Sequence, residues 1–556
     1  MTKTTINSPQ SPHWVDKVVE QILAWQKKQS VKKLHVDDMK TPSGRVHVGA
    51  LRGVMLHDIV AKALQAQQQS TKSTYVFNDM DPMDGLPAYL NEQEYQQHMG
   101  KPLCKIPPPQ LDKSGIDFSQ ATAAEKKQYQ QAKSFAHFYA LDFIAAFRQL
   151  GCSQKIVWSH QLYESGQMDK VIKIALDKTE LIKQVYQKIA NYELPANWHP
   201  FQVNCEQCGK VGTTLVTAWD GQQVTYECQP NKVDWAQGCG HQGKVSPFGG
   251  TGKLLWKVDW PAHWVAMGVN IEGAGKDHTS AGGSRDMANA LLEKVFESIV
   301  PFDIPYEWIL LRGAKMSSSK GVGTSAREFT QLLPAELGRF LFVNKHYNQV
   351  IDFDPQTMAI PDLFDEYDQA AQIFWQQEPG DERLGRAFEL SQLKTVPKAH
   401  FLPRFRDLAL WMQHPELDLA EEFEKIKGSA LTKPELQVLA DRQHYAQLWV
   451  NRYAPAEYQL GATSEIPAAA KQLSAAQKKY LQQVDQLLDS QANWDPQELQ
   501  QQLFELAKKT LGARQAFQAI YLAFLGKKSG PRAAWFLLEI DPKLRKQRIK
   551  EVQKKQ

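Results

Sequence analysis

The sequence predicts an α/β protein with a parallel sheet, a small cysteine-rich insertion and an all-helical second half. Three observations point there. Up to about residue 330, short apolar runs alternate with stretches whose apolar residues recur at helical spacing, the mark of strands joined by crossover helices. Beyond that point strand-like runs nearly vanish. Four of the six cysteines fall between positions 205 and 239, while Cys104 and Cys152 stand apart.

The elements follow in order. Residues 15–30 read as an amphipathic lead-in helix. "KKLHVDDM", 32–39, reads as a strand, broken by Pro42 and Gly44 in "TPSGRVHVG". "ALRGVMLHDIVAKALQAQ" returns to helical spacing, so strand, turn and helix come in sequence. "STYVFNDMD", 73–81, is the next expected strand, and helices are expected over about 131–150 and 168–191. "PYEWILLRG", 305–313, is a further strand, and it delivers the loop "AKMSSSKGVG". The second half predicts helices over 326–345, 433–452, 467–490 and 496–523, and ends in the basic run "PKLRKQRIKEVQKKQ".

The totals set bounds. A chain of 556 residues has room for about three or four domains. Its 65 basic and 61 acidic residues leave a net charge of +4, too balanced for a general nucleic-acid coat yet compatible with local basic patches. The start, "MTKTTINSPQSPHW", has no apolar signal core, and no apolar run approaches the length of a membrane span. A cytoplasmic protein without a membrane partner is expected. In that reducing setting the clustered cysteines suit a metal better than disulfides.

Two stretches carry the chemistry. "TPSGRVHVGALRG", 41–53, joins a strand to a helix, so free amides at the helix start would face an anion, with His47 as a further donor. "RGAKMSSSKGVG", 312–323, is too short and too rich in glycine for a stable helix. Its Lys315 and Lys320 supply charge, Ser317, Ser318 and Ser319 supply donors, and Gly313, Gly321 and Gly323 allow hinging. It suits a phosphate that arrives and leaves. Taken singly, each stretch also fits an ordinary turn or a solvated surface loop.

Cys205 and Cys208 form a C-x2-C knuckle, followed by Cys228 and Cys239. Four thiolates give a closed tetrahedral site, so the spacing predicts a structural zinc, with His241 as an alternative to Cys239.

Together the two phosphate-type stretches resemble the paired motifs of class I aminoacyl-tRNA synthetases. "TPSGRVHVGALRG", "WKVDWPAHW", "GKDHTSAGGSRD", "YEWILLRGAKMSSSKG" and "FLGKKSGPR" resemble, in that order, the lysine-specific branch of that family, and cover about residues 30 to 540. The resemblance implies a Rossmann-like catalytic domain over 31–330 after a lead-in at 1–30, a zinc-knuckle insertion near 200–245 and a helical anticodon-binding region over 331–556. It implies lysine activation by ATP with Mg2+, transfer to the 3′-terminal ribose of tRNA-Lys, a need for tRNA even in activation, and a monomer.

By the same resemblance Ser43, Gly44, His47, Gly49, Lys315, Ser317, Ser318 and Ser319 would hold ATP. His47 and either Lys315 or Lys320 would act in catalysis. The lysine pocket would use Thr41, Trp256, Asp277, His278 and Tyr306, with Asp81 and Asp259 as further candidates for an ammonium partner. Lys527, Lys528 and Arg532 would touch tRNA. Three positions depart from the family pattern: Ala50 replaces a second histidine or an asparagine, Ser318 replaces the loop's usual lysine, and Met39 replaces a glycine. Two alternatives stay open. One is a class I synthetase for glutamate or arginine. The other is a tRNA-binding paralogue without catalysis.

Overall fold

The computed structural model describes residues 12–119, 121–310, 325–413, 417–455, 458, 466–491, 494–528 and 532–553. The chain divides into two compact units, Met1–Phe353 with Gln369–Pro397, and Asp354–Asp368 with Lys398–Gln556.

The first unit opens with helix α1 (Trp14–Gln29), whose Trp14, Val15, Val18, Val19 and Ile22 recur at helical spacing and are buried. Strands β1 (Leu34–Val36) and β2 (Met39–Lys40) then run in one direction, separated by two buried acids, Asp37 and Asp38. Sequence reasoning expects one strand here. The regular pairing with β3 lapses at the two acids, although the Asp38 carbonyl still accepts the Val76 N–H and the Asp37 N–H reaches the Ile271 carbonyl. A 3-10 turn, Val48–Ala50, leads into helix α2 (Leu51–Ala66), which is buried nearly all round.

Strand β3 (Thr71–Phe77) pairs parallel with β1, with β2 and with β4 (Lys155–Trp158). On the far side, parallel bridges join Val36 to Ile271, Ile271 to Phe302 and Gly275 to Tyr306. Ranked along the chain, the sheet therefore runs 3-2-1-4-5, the order of a doubly wound dinucleotide-type sheet. Its topological switch point lies between the first strand and the segment around Ile271. Open α/β sheets of this order hold ligands at that point, beyond the carboxyl ends of the strands.

A cysteine-rich excursion leaves this sheet. Strand β5 (Phe201–Val203) pairs antiparallel with β9 (Gly252–Leu254), and between them β6 (Thr214–Trp219), β7 (Val224–Cys228) and β8 (Gln242–Val245) form an antiparallel meander. The helix Trp256–Met267 follows β9 directly.

The second unit is built on helices, among them Lys433–Arg452, Ala475–Asp489, Pro496–Thr510, Ala513–Leu525 and Pro542–Gln553. Tyr480, Leu503, Ile520, Phe524, Phe536 and Ile549 belong to one buried cluster. The expected helix 496–523 is two helices, parted at Gly512, where φ is +84°. The expected helix 326–345, in the first unit, is also two, Ala326–Leu332 and Ala335–Asn344, parted at Leu333 and Pro334, the latter standing in extended backbone as the N-cap of the second. Likewise 168–191 divides at Lys178. Among the described residues no helix is long and apolar enough to cross a membrane.

Candidate functional site

A cavity of about 320 Å³ opens at the switch point. The ends of β1 and β2 supply Asp38, Met39, Lys40 and Thr41, the neighbouring strand segment supplies Glu272, Gly273, Ala274 and Gly275, and Tyr306 closes the far edge. The helix Trp256–Met267 contributes Trp256 and Trp260, and Ser43, Asn78 and His278 complete the wall.

One side of this cavity is aromatic. The rings of Trp256 and Trp260 stack with centroids 6.1 Å apart, and His278 lies 5.7 Å from Trp256 and 5.8 Å from Trp260. Trp256 is 37% exposed, which leaves its face accessible. Such a surface suits an alkyl stem and attracts a cation.

The cavity also holds two carboxylates, Asp38 and Glu272. The Glu272 carboxylate accepts the indole N–H of Trp260 at 2.7 Å and of Trp264 at 2.5 Å. Burial pushes Glu272 up to about 7, against the pull of those two donors. Asp37, behind it, is raised well above the usual carboxylate range by burial and by the nearby Glu272 charge, and its Oδ1 accepts the Thr74 hydroxyl. Asp38 Oδ2 lies 3.6 Å from His57 Nδ1. That imidazole accepts the Gly273 N–H on Nε2 at 2.8 Å, so its proton sits on Nδ1, 2.7 Å from the Gly53 carbonyl.

Two glycines are required by close approach. A Cβ on Gly53 would stand 2.7 Å from the Tyr306 hydroxyl and 2.8 Å from Asp38 Oδ2. A Cβ on Gly49 would stand 2.7 Å from the His47 ring, so the bare backbone there is what lets the imidazole lie over it. His47 precedes the turn Val48–Ala50, and neither it nor Ala50 caps a helix start with its side chain. The amides of Ala50 and Leu51 are taken by the turn itself, donating to the His47 and Val48 carbonyls, so any anion would meet the chain at the start of the turn rather than of α2.

The structure brings Thr41, Ser43, Trp256, His278 and Tyr306 to one cavity. Asp277 is exposed and is not among the lining residues. Asp81 and Asp259 are held by the ammonium of Lys253, Asp259 at 3.1 Å, and Thr41 donates to Asp81 at 2.5 Å. An internal lysine therefore occupies two of the acids that sequence reasoning offers to a ligand. Asp38, Lys40, Asn78, Trp260, Glu272 and the segment 273–275 are lining residues it misses. Trp260 stands inside the quoted "WKVDWPAHW", and the signal for Glu272 is an acid ending the apolar run "VAMGVNIEG". Gly313, Lys315, Ser317, Ser318, Ser319, Lys320, Gly321 and Gly323 lie outside the described residues.

In the excursion, the sulfurs of Cys205, Cys208, Cys228 and Cys239 all lie within 4.8 Å of one another. Cys205 and Cys239 are 3.6 Å apart, and Cys208 and Cys228 3.7 Å. A tetrahedron of ~2.3 Å zinc–sulfur bonds places its sulfurs about 3.8 Å apart, so the donor set fits that ion. Cys239 holds the fourth place in this group, and His241 is outside it.

In the second unit, Gly526 ends the helix Ala513–Leu525 in the left-handed region, and Lys527 and Lys528 follow it. Arg532 is exposed, with its guanidinium 5.2 Å from the Trp535 ring centre. The basic tail is less available than its composition implies. Arg545 and Arg548 are buried, Arg545 pairs with Asp485 and Asp489, and Arg548 donates to the Ala523 carbonyl.

A family model described as "tRNA synthetases class I (K)" matches residues 12–394, and one described as "Anticodon binding domain" matches 400–553. The "Lysine--tRNA ligase" of Methanosarcina barkeri (strain Fusaro) is 30% identical over 561 residues, covering 97% of each chain. Its counterpart in Archaeoglobus fulgidus is 30% identical over 542 residues, covering 97% of this chain and 99% of its own. That of Methanocaldococcus jannaschii is 30% identical over 549 residues, covering 94% and 97%.

Proposed function

The chain belongs to the class I tRNA synthetases, in their lysine branch, and we propose how its own residues carry the reaction of that family: L-lysine is activated by ATP to an adenylate and passed to the 3′-terminal ribose of tRNA-Lys.

One observation carries the choice of amino acid. The cavity brings together three rings, Trp256, Trp260 and His278, and two carboxylates, Asp38 and Glu272, which outnumber the single lining lysine, Lys40. A glutamate pocket needs the reverse balance of charge. An arginine pocket would use the same signs but must accept a longer, forked head. The lysine stem lies along the tryptophans and its ammonium reaches Asp38 and Glu272. Tyr306 and Thr41 fix the other end.

ATP lies against the turn that leads into α2. The amides at the start of the Val48–Ala50 turn and His47 donate to the triphosphate, and Ser43, Gly44 and Gly49 allow its close approach. The lysine carboxylate attacks the α-phosphorus, and charge gathers on the departing pyrophosphate. The motif assigns the meeting of that charge to Lys315 or Lys320 with Ser317, Ser318 and Ser319, a contact made only as the charge forms. Mg2+ travels with the triphosphate and offsets its charge. The terminal ribose hydroxyl of tRNA then attacks the adenylate carbonyl and releases AMP.

The catalytic region is assigned to 31–330 after the lead-in 1–30, and tRNA binding to 331–556, with Lys527, Lys528 and Arg532 as phosphate contacts. The match of an anticodon-binding domain to 400–553 supports this. The four cysteines near 200–245 hold a structural zinc, which fixes their fold and takes no part in the chemistry.

The deciding experiment is ATP–pyrophosphate exchange with each of the twenty amino acids, with and without tRNA. Exchange with lysine alone, lost in Lys315→Ala, is expected. Exchange with glutamate or arginine would overturn the assignment of the cavity. No exchange beside measurable tRNA binding would leave a binding protein without catalysis.

A further inference from the structure

Lys253 is the one buried ammonium set between two carboxylates beside the cavity, among the described residues, and the mechanism above does not use it. It lies on β9 and is 2% exposed. It pairs with Asp81 Oδ1, and with Asp259 Oδ2 at 3.1 Å. Each carboxylate has a second commitment. Asp81 Oδ2 accepts the Thr41 hydroxyl at 2.5 Å. Asp259 Oδ1 accepts the Tyr163 hydroxyl at 2.5 Å and lies 3.1 Å from His263 Nδ1. The next residue on the strand closes the circuit, because the Leu254 N–H donates to the Tyr163 oxygen at 3.0 Å.

We propose that Lys253 is a positioning residue that turns the Thr41 oxygen toward the cavity as an acceptor and so fixes the seat of the substrate's α-ammonium. A threonine hydroxyl has one proton to give. Asp81 Oδ1 faces the Lys253 ammonium and Oδ2 accepts the Thr41 hydroxyl, so the Thr41 proton is committed to this carboxylate. The Thr41 oxygen is then left with lone pairs alone. A cationic N–H can donate to them, and a carboxylate oxygen meets repulsion. The lysine substrate is thereby held by its α-ammonium at Thr41, and its carboxylate is turned away toward ATP.

Lys253 has a second effect. Asp81 and Asp259, left unpaired, would themselves form an ammonium site close to the true one. An ammonium built into the chain fills that decoy, and the substrate's side-chain ammonium goes to Asp38 and Glu272. Both effects rest on the cavity being the lysine pocket, as set out above.

The test compares binding of L-lysine and of 6-aminohexanoate, which lacks only the α-amino group, by calorimetry. It uses the full chain and its Lys253→Arg, Lys253→Met, Thr41→Val and Lys253→Met/Thr41→Val forms. The preference of the wild type for lysine should fall about tenfold in Lys253→Met, the size of a lost hydrogen bond to a charged group. Thr41→Val should show the same fall and the double variant no further one. Lys253→Arg, which keeps the charge, should keep most of the preference. An unchanged preference in Lys253→Met, or losses that add in the double variant, would overturn the inference. If Lys253→Met does not fold, Asp81→Asn reads the same link, since its amide can donate to Thr41 and reverse the hydroxyl. An unchanged preference there would overturn it equally. A wild type that binds lysine no better than 6-aminohexanoate, or not at all, would instead sink the assignment of the cavity.

Discussion

Both oxygens of the Glu272 carboxylate are engaged by indole N–H groups, at 2.7 and 2.5 Å, inside a protein interior where unpaired charge is costly. Its affinity for a proton is raised to about 7 by burial, so near neutrality it is partly protonated until a cation arrives. Binding an ammonium favours the ionised form and expels that proton. Lysine affinity should therefore rise with pH through about 7 and level off above it. Calorimetry in two buffers of different ionisation enthalpy would read the released proton. Glu272→Gln should abolish the pH dependence between 6 and 8 and weaken binding by about 1.5–3 kcal/mol, the worth of a charged hydrogen bond. Gly53→Ala should weaken lysine binding while leaving ATP binding nearly unchanged, since the added methyl meets the Tyr306 hydroxyl and Asp38 at once, at a cost of about 1–3 kcal/mol. Thr41, Trp256, His278 and Tyr306 are legible in the sequence because motif and chemistry agree there. Glu272 is not, because a lone acid at the end of an apolar run reads as a strand edge until the indoles opposite it are seen. Asp277 misleads for the opposite reason. It stands next to His278 in sequence, but the short helix Lys276–Thr279 leaves it exposed and off the cavity wall.

The strands of the cysteine-rich excursion are short, and its meander of β6, β7 and β8 has three of them. Three short strands stand at the lower limit for a stable sheet, and Val216, Val224 and Tyr226 add to it by packing into the core of the first unit. The four sulfurs supply the place for a further source of stability, since a bound structural metal contributes directly to folding. Removing the metal with a chelator, or making Cys208→Ser, should open residues 205–245 to proteolysis before the rest of the chain, with cleavage sites read by mass spectrometry. Unchanged protection after verified loss of metal would refute a structural role. The excursion is tied to the cavity through β9, whose Lys253 reaches Asp81, so the same treatment should also weaken lysine binding. At this scale the sequence is legible where one period runs unbroken, as in α1 and in the helix Lys433–Arg452. It misleads where a local residue cuts a long apolar pattern, as Pro334 and Gly512 do. The central segments near Ile271 and Phe302 escape notice because each pairs through one or two residues, too few to print a period.

The two compact units have separate cores, one holding Trp264, Leu291 and Phe296, the other Tyr480, Leu503 and Phe524. Each should melt as its own cooperative step, so scanning calorimetry should resolve two transitions. Lysine with ATP should raise the one belonging to the first unit, by about 2.7 kcal/mol at a hundredfold excess over Kd, and leave the other in place. A single transition raised by ligand would contradict that independence. The broad plan, α/β then helical, is legible because composition and periodicity change together along the chain. The strand order is not, because it depends on pairings between distant segments. That order also governs when the site can exist. Asp38 and Glu272 reach one cavity only through a sheet whose strands begin at Leu34 and whose bridges extend to Tyr306. A growing chain on the ribosome therefore holds both halves of its ligand site apart until residue 306 has emerged. Before then Asp37 lacks the Ile271 carbonyl that receives its amide, and His57 lacks the Gly273 N–H. A nascent fragment of about half the chain exposes acids and tryptophans that the finished protein buries, and is a natural client for a chaperone.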